Sequence, residues 1–371
     1  MAGGLAIRVD VRRYTSATTA TTSLCFLVEE QYRYDGMPRD VIGQLRAWGH
    51  RVDVLRPGRS LIRMSELSEA VRTGGHAAWV LKTVSGGPGL TLLEAAATAG
   101  LTTVNDIRAI RGVRDKALAA VIGRAGGLPV PMTYAAVRAE EFAALPAAEF
   151  PLVVKPADGS SGRAVRLVER PEELVAGGGS RLVGGEPRGA EPGAAGSGGG
   201  EPGVAGSGPG PGGGEPAAVD PGSAPAPGPA SGMLIAQPYV PNSGTDLKVY
   251  SIAGDLYATE RSSPLHPGQA VRERQVPLPR EVARIVTEVG AVFGLDLYGV
   301  DVLLGPDGPV VVDINDFPSF RQVPDAVARV SAAVLRLARD GSDHRVAAPA
   351  LPFIGHQRWL RPAAEAVGGA L

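Results

Sequence analysis

The chain has 371 residues and carries 37 Lys and Arg against 38 Asp and Glu, so its net charge of −1 supplies no broad basic field and nucleic acid is not expected as a partner. A single cysteine, Cys25, excludes an intramolecular disulfide. No run reaches the roughly 18 apolar residues of a membrane span, and the first 30 residues lack the apolar core of a secretory signal, so a cytoplasmic protein without a membrane partner is expected.

Residues 1–23 read as an N-terminal extension and 24–105 as an α/β unit. LCFLVE (24–29), RVDVL (51–55), AAWVLK (77–82) and LTTVN (101–105) have the apolar, β-branched character of strands. RDVIGQLRAWG (39–49) and TLLEAAATAG (91–100) read as helices closed by glycine. Strands alternating with helices predict a parallel sheet, with ligands at the strands' carboxyl ends. Lys82 lies at such an end, as a substrate contact or as a solvated lysine. Residues 106–175 form the next unit. Ile107, Ile110, Val113, Ala117 and Val121 recur at helical spacing, predicting one helix that runs to Gly126 and Gly127. LPVPMTY (128–134) must be extended, because each proline biases its predecessor away from α. FPLVVKPADGSSGRAVRLVE (150–169) then reads as strand, Gly/Ser loop and strand.

Residues 176–232 hold 21 of the 51 glycines and 10 of the 32 prolines, and include a ten-residue duplication, EPGAAGSGGG followed by EPGVAGSGPG. A tract of this composition cannot bury enough apolar surface to offset its ordering entropy and is expected to be a disordered insertion. Residues 233–340 resume a globular pattern: the strand MLIAQPYV (233–240), a hairpin turning at Gly254-Asp255, a helix from 280 closed by Gly294, and a second hairpin, YGVDVLLGPDGPVVVDIND (298–316). Residues 341–371 are a tail.

The strongest chemical signal is Asp301 with Asp313 and Asn315. Strand side chains alternate, so Asp313 and Asn315 share a face. Asp301 joins it if residue 301 pairs with 313, which an odd loop of Gly305 to Pro309 would allow. Two carboxylates and an amide oxygen are hard donors suited to Mg²⁺ shared with phosphates. With Gly254-Asp255 as the turn, Lys248 and Arg261 fall directly opposite each other, a like-charge penalty that a bound polyanion would convert into attraction. Lys155 enters the loop Asp158, Gly159, Ser160, Ser161, Gly162, whose glycines let backbone amides approach an anion. The segment Gln237, Pro238, Tyr239, Val240 closes an apolar strand, as a simple core strand or as one whose following backbone pairs an adenine edge. The five histidines show no ligand spacing.

Taken in order, these pieces resemble the ATP-grasp superfamily. The resemblance implies an α/β (α+β) fold: an N-terminal parallel-sheet domain, then two antiparallel-sheet lobes that sandwich ATP. It further implies Lys116 and Lys155 as phosphate lysines, the 158–162 loop as a phosphate cover, Gln237, Tyr239 and Val240 as the adenine hinge, and Lys248 and Arg261 beside the reacting groups. Asp301, Asp313 and Asn315 would hold two Mg²⁺ ions, with Mn²⁺ as a substitute. GLPVPMT and GTDLKVYSIAGD look like the ribosomal-S6-modification-like carboxylate–amine ligases. QPYVPNSGTDLK, RSSPL and DINDFPSF look like the inositol polyphosphate 1-kinases. The ligase reading implies an acyl phosphate attacked by an amine, on a small-molecule or peptide substrate, with room for a homo-oligomer. A kinase and a non-catalytic nucleotide-binding protein are the alternatives. Deleting residues 177–230 is expected to leave ATP turnover intact, and abolished ADP release by the shortened chain would show that the tract belongs to the machinery.

Overall fold

The structure is a computed structural model that describes residues 20–34, 36–82, 87–158, 165–175, 232–263, 265, 273–342 and 344. Gly159, Ser160, Ser161, Gly162, the tract up to residue 231 and His266 lie outside the described residues.

The first sheet contains β1 (Ser23–Val28), β2 (Arg51–Leu55), β3 (Ala78–Lys82) and β4 (Thr102–Val104). All are parallel, in the order β2-β1-β3-β4. Its central strands carry continuous apolar runs, 24–28 in β1 and 78–81 in β3, because both faces are covered. Leu24, Phe26 and Val28 pack against α1 (Gly36–Ala47) and, from the far end of the chain, α8 (Ala326–Asp340). Cys25 and Leu27 face the other way, onto α2 (Leu67–Gly74) and α3 (Pro88–Thr98). The α2 helix was not legible in the sequence: it is two turns long, and only Leu67 and Val71 are buried.

The predicted helix over 107–125 is two helices, α4 (Ile107–Arg114) and α5 (Lys116–Ala125). The break is Asp115, extended at φ −91°, ψ 109°, whose side chain accepts from the amides of Ala117 and Leu118 and caps α5. Past the break the apolar stripe turns outward, leaving Val121 54% exposed.

The second sheet is antiparallel, with β5 (Tyr134–Ala136), β6 (Leu152–Pro156), β7 (Arg166–Val168) and β8 (Leu234–Pro238) in the order β5-β8-β6-β7. The short α6 (Glu172–Val175) buries Leu174 beside it. The third sheet has β9 (Thr245–Ile252), β10 (Asp255–Ser262), β11 (Arg274–Val276), β12 (Leu297–Gly305) and β13 (Gly308–Asp316), in the order β11-β10-β9-β12-β13. One face of it, with Leu247, Val249, Val300 and Val302, packs on α7 (Arg280–Phe293) through Val282, Ile285, Val286 and Val289. The other face carries the polar residues described below.

Both hairpins differ from expectation. The first turns at Ala253-Gly254, since Ile252 pairs with Asp255. Both turn residues have positive φ, 52° and 97°, as in the primed turns that match strand twist. This shifts the register, so Arg261 faces Asp246 and Lys248 faces Thr259. In the second hairpin Asp301 does pair with Asp313, but through a β-bulge between Asp301 and Val302 and a turn of Pro306-Asp307. An extra residue in the strand, rather than an odd loop, brings 301 opposite 313. Pro309 stays in the ladder opposite Leu304, at a pair next to the turn-flanking one, where the strand amides point outward.

The parallel-sheet domain is joined to the third sheet by Asn105. Its side-chain amide donates to the Leu297 carbonyl at 2.8 Å, and its oxygen accepts from the amides of Asp296 and Leu297 at 3.1 and 2.9 Å. Asn105 is 2% exposed, so water cannot replace these bonds. Asn105→Ala is expected to lower the unfolding free energy by about 2 to 4 kcal/mol in a urea titration. A loss under about 0.5 kcal/mol would mean that the clamp contributes nothing.

Candidate active site

The polar face of the third sheet carries one row in register across four strands: Thr259, Lys248, Asp301 and Asp313. Lys248 donates from Nζ to Asp301 Oδ1 at 2.8 Å. Arg261 grips Asp246 with two bonds, Nε to Oδ1 at 2.9 Å and Nη2 to Oδ2 at 3.1 Å, and also donates to Asp301 Oδ2 at 2.7 Å. Burial alone would push the Asp301 carboxyl up, but Lys248 and Arg261 together hold it below the usual carboxylate range. Asp246 is pushed up by burial, which outweighs Arg261. Burial opposes the Arg261 charge, yet Asp301 and Asp246 hold it firmly cationic.

Beside that row, Asp313 accepts from Lys116 Nζ at 3.2 Å, and Asn315 donates from Nδ2 to Asp313 Oδ2 at 3.4 Å. That leaves the Asn315 amide oxygen as a donor atom for a ligand. Lys155, at the end of β6, donates to the Val312 carbonyl at 3.0 Å. Val312 is the bulged residue, and the bulge turns its carbonyl toward the second sheet. Burial pulls the Lys155 ammonium below the ordinary lysine value, Lys116 adds to that, and Asp313 and Asp301 oppose it. Lys116, Lys155 and Gln237 line one cleft with Val113, Val130, Ile235, Asp313 and Ile314.

The hinge is anchored at each residue. Gln237 donates to Thr133 Oγ1 at 2.9 Å, the Tyr239 amide donates to the Pro151 carbonyl at 2.7 Å, and the Val240 carbonyl accepts from Asn242 Nδ2 at 2.8 Å. Val240 also meets the turn of the β12–β13 hairpin: a Cβ at Gly305 would stand 2.8 Å from its Cγ1. At the opposite end of β13 from that turn, Lys82 of the parallel sheet donates to the Phe317 carbonyl at 2.6 Å, with its ammonium 4.8 Å from the Tyr32 ring centroid.

Lys116, Lys155, Gln237 and Asp313 thus line one cleft between two antiparallel sheets, and Asp301, Asn315, Lys248 and Arg261 continue from Asp313 across the same face of the third sheet. The chain has the ATP-grasp fold. It is similar to a RimK domain protein ATP-grasp from Sphaerobacter thermophilus DSM 20745, at a TM-score of 0.57 and 18% identity over 84% of this chain and 98% of that one. It is similar also to the D-alanine–D-alanine ligase from Bacillus anthracis complexed with ATP (TM-score 0.56, 13% identity, 86% and 98% covered). The L-amino acid ligase from Bacillus licheniformis has a TM-score of 0.54 and 13% identity over 87% of this chain and 75% of that one. No protein-family profile and no curated protein matches the sequence. Among the described residues no helix is long and apolar enough to cross a membrane.

Sequence reasoning missed Asp246. The signal was present, since Asp246 and Lys248 share a strand face, but the misplaced turn set a cation opposite Arg261. Asp246→Ala is expected to cost about 3 kcal/mol, the low end for a broken buried pair. Combined with Arg261→Ala in a double-mutant cycle read by urea unfolding, the pair should couple by at least about 1 kcal/mol. Additive losses would show that the two side chains act independently.

Proposed function

We propose that the protein is an ATP- and Mg²⁺-dependent ligase that activates a carboxylate of an amino acid, a peptide or a similar small acid as an acyl phosphate and joins it to an amine. The observation that carries this reading is the arrangement of Lys116 and Lys155 across from Asp313 and its strand in one cleft. ATP-grasp ligases of amino acids and peptides are among the structural neighbours, including PsnB complexed with minimal precursor, Mg and ADP (TM-score 0.52, 17% identity, 85% and 98% covered).

The donors fit the ion. Asp301, Asp313 and Asn315 offer oxygen only, on adjacent strands, and the cations now held by both carboxylates mark a negative potential at that spot. Among the described residues no group of three His, Cys, Asp or Glu is assembled, so an ion held by two carboxylates and one amide oxygen would need water or phosphate oxygens to complete its shell. Mg²⁺ held there, as two ions or with Mn²⁺ in its place, supplies neutralisation of phosphate charge. The chain's own residues do the rest. Lys116 and Lys155 hold the phosphates, and Gln237, Tyr239 and Val240 border the base. Arg261 and Lys248 stabilise charge on the acyl group as the amine attacks, a role suited to donors already fixed in place. Soluble substrates are expected, and a homo-oligomer is compatible with this site. A hydroxyl acceptor of the inositol phosphate type would need a dense basic pocket, and Lys82 is engaged by the Phe317 carbonyl instead.

The test incubates the full chain with ATP, Mg²⁺ and pooled amino acids and short peptides, and in parallel with inositol phosphates, and weighs the products. ADP with a condensed amide is expected, while a phosphorylated inositol would sink the ligase assignment. Asp313→Ala should cut ADP release at least about 100-fold, comparable to losing a major charge-stabilising group. Unchanged release would end the catalytic reading altogether.

A further inference from the structure

Arg114 is the last residue of α4, and Asp316 is the last residue of β13. Their side chains form a two-pronged ion pair, Nε to Oδ1 at 3.1 Å and Nη2 to Oδ2 at 3.0 Å, with side-chain exposures of 11% and 8%. Neither residue lines the cleft, yet each adjoins residues that do. Asp316 follows Asn315 directly and Asp313 by three positions. Arg114 precedes Asp115 and Lys116, and each of these three consecutive residues is tied to a different body. Arg114 binds the end of the metal strand, and Asp115 caps α5. The Lys116 amide donates to the Ala157 carbonyl just past β6, the strand of Lys155, at 2.8 Å.

We propose that Arg114 and Asp316 are positioning residues: their ion pair sets the gap between the phosphate lysines, Lys116 and Lys155, and the oxygen donors Asp301, Asp313 and Asn315. The inference rests on the ligase reading of the cleft. The physical argument is geometric. A guanidinium–carboxylate fork fixes orientation as well as distance, whereas a lysine in its place supplies only a point charge. A nucleotide and Mg²⁺ meet in this cleft only if Lys116 on α5 and Lys155 on β6 are held at the right separation from the carboxylates of the third sheet. The Arg114–Asp316 pair is a side-chain tie that joins the Lys116 junction to the end of the metal strand, in addition to the Lys116–Asp313 contact.

If this is correct, breaking the fork loosens the linkage between nucleotide and Mg²⁺ more than it weakens either alone. The measurement is calorimetric binding of AMP-PNP to the full chain with and without Mg²⁺. The wild type should bind AMP-PNP at least about tenfold tighter when Mg²⁺ is present. Arg114→Lys and Asp316→Asn should reduce that factor to under about threefold, while the Mg²⁺-free affinity changes by less than about threefold. A purely structural role would instead lower the melting temperature and weaken both affinities equally. Because each single variant weakens the fork while leaving one charged partner buried, the double variant Arg114→Met/Asp316→Leu, which removes both charges from the pair, provides a second counterpart and should show the same loss of linkage. Variants that keep the full wild-type factor overturn the positioning role alone. A wild type that binds no AMP-PNP overturns the ligase reading and the positioning role with it.

Discussion

Two carboxylates, Asp301 and Asp313, stand directly opposite each other on neighbouring strands, and like charges so placed repel. Much of the surrounding structure answers that constraint. Lys248 and Arg261 occupy both oxygens of Asp301, and Lys116 approaches Asp313 from the first turn of α5. Lys155 lies close enough to feel both carboxylates while its ammonium rests on the Val312 carbonyl. A concentrated negative site is thereby tolerated in a half-buried sheet, and under the proposed ligase reading the cations that neutralise it are the ones a phosphorylated ligand would recruit. Exchange of partners, with no new charge brought in by the chain, is the chemical resource of the cleft.

That exchange needs a frame that does not yield. The third sheet is held from beneath by α7 and from the side by the parallel-sheet domain, to which Asn105, Lys82 and the face shared by α1 and α8 attach it. Among the described residues, the second sheet and the segment leading into it meet the third through the Lys155 ammonium, the Lys116 junction, the Val311 amide on the Pro129 carbonyl and the contact of Val240 with Gly305. Rigid attachment on one side and sparse ties on the other are what a cleft between lobes requires if a nucleotide is to enter and be enclosed.

The sequence made much of this legible where the signal is local. Alternation placed Asp313 and Asn315 on one face, and apolar runs marked every strand of the parallel sheet. The helical stripe of α7 with Gly294 at its end was equally plain. It failed where the outcome depends on one residue's backbone. A turn displaced from Gly254-Asp255 to Ala253-Gly254 moved Arg261 from a cation to Asp246, and a bulge at Val312 rather than an odd loop set the metal register. Asp115, read as an interior helix position, proved to be a cap that redirects the chain. Long-range partners such as Arg114 with Asp316, 202 residues apart, left no local trace.

By itself, then, the sequence determined the order of elements, the types of residue available for phosphate and metal, and their spacing along each strand, because period and composition act within a few residues. Only the tertiary structure decided which cation meets which carboxylate and how far apart the lobes stand. Those distances come from strand register, bulges and buried ion pairs, and each of these is set by the packing of segments that are remote in the chain.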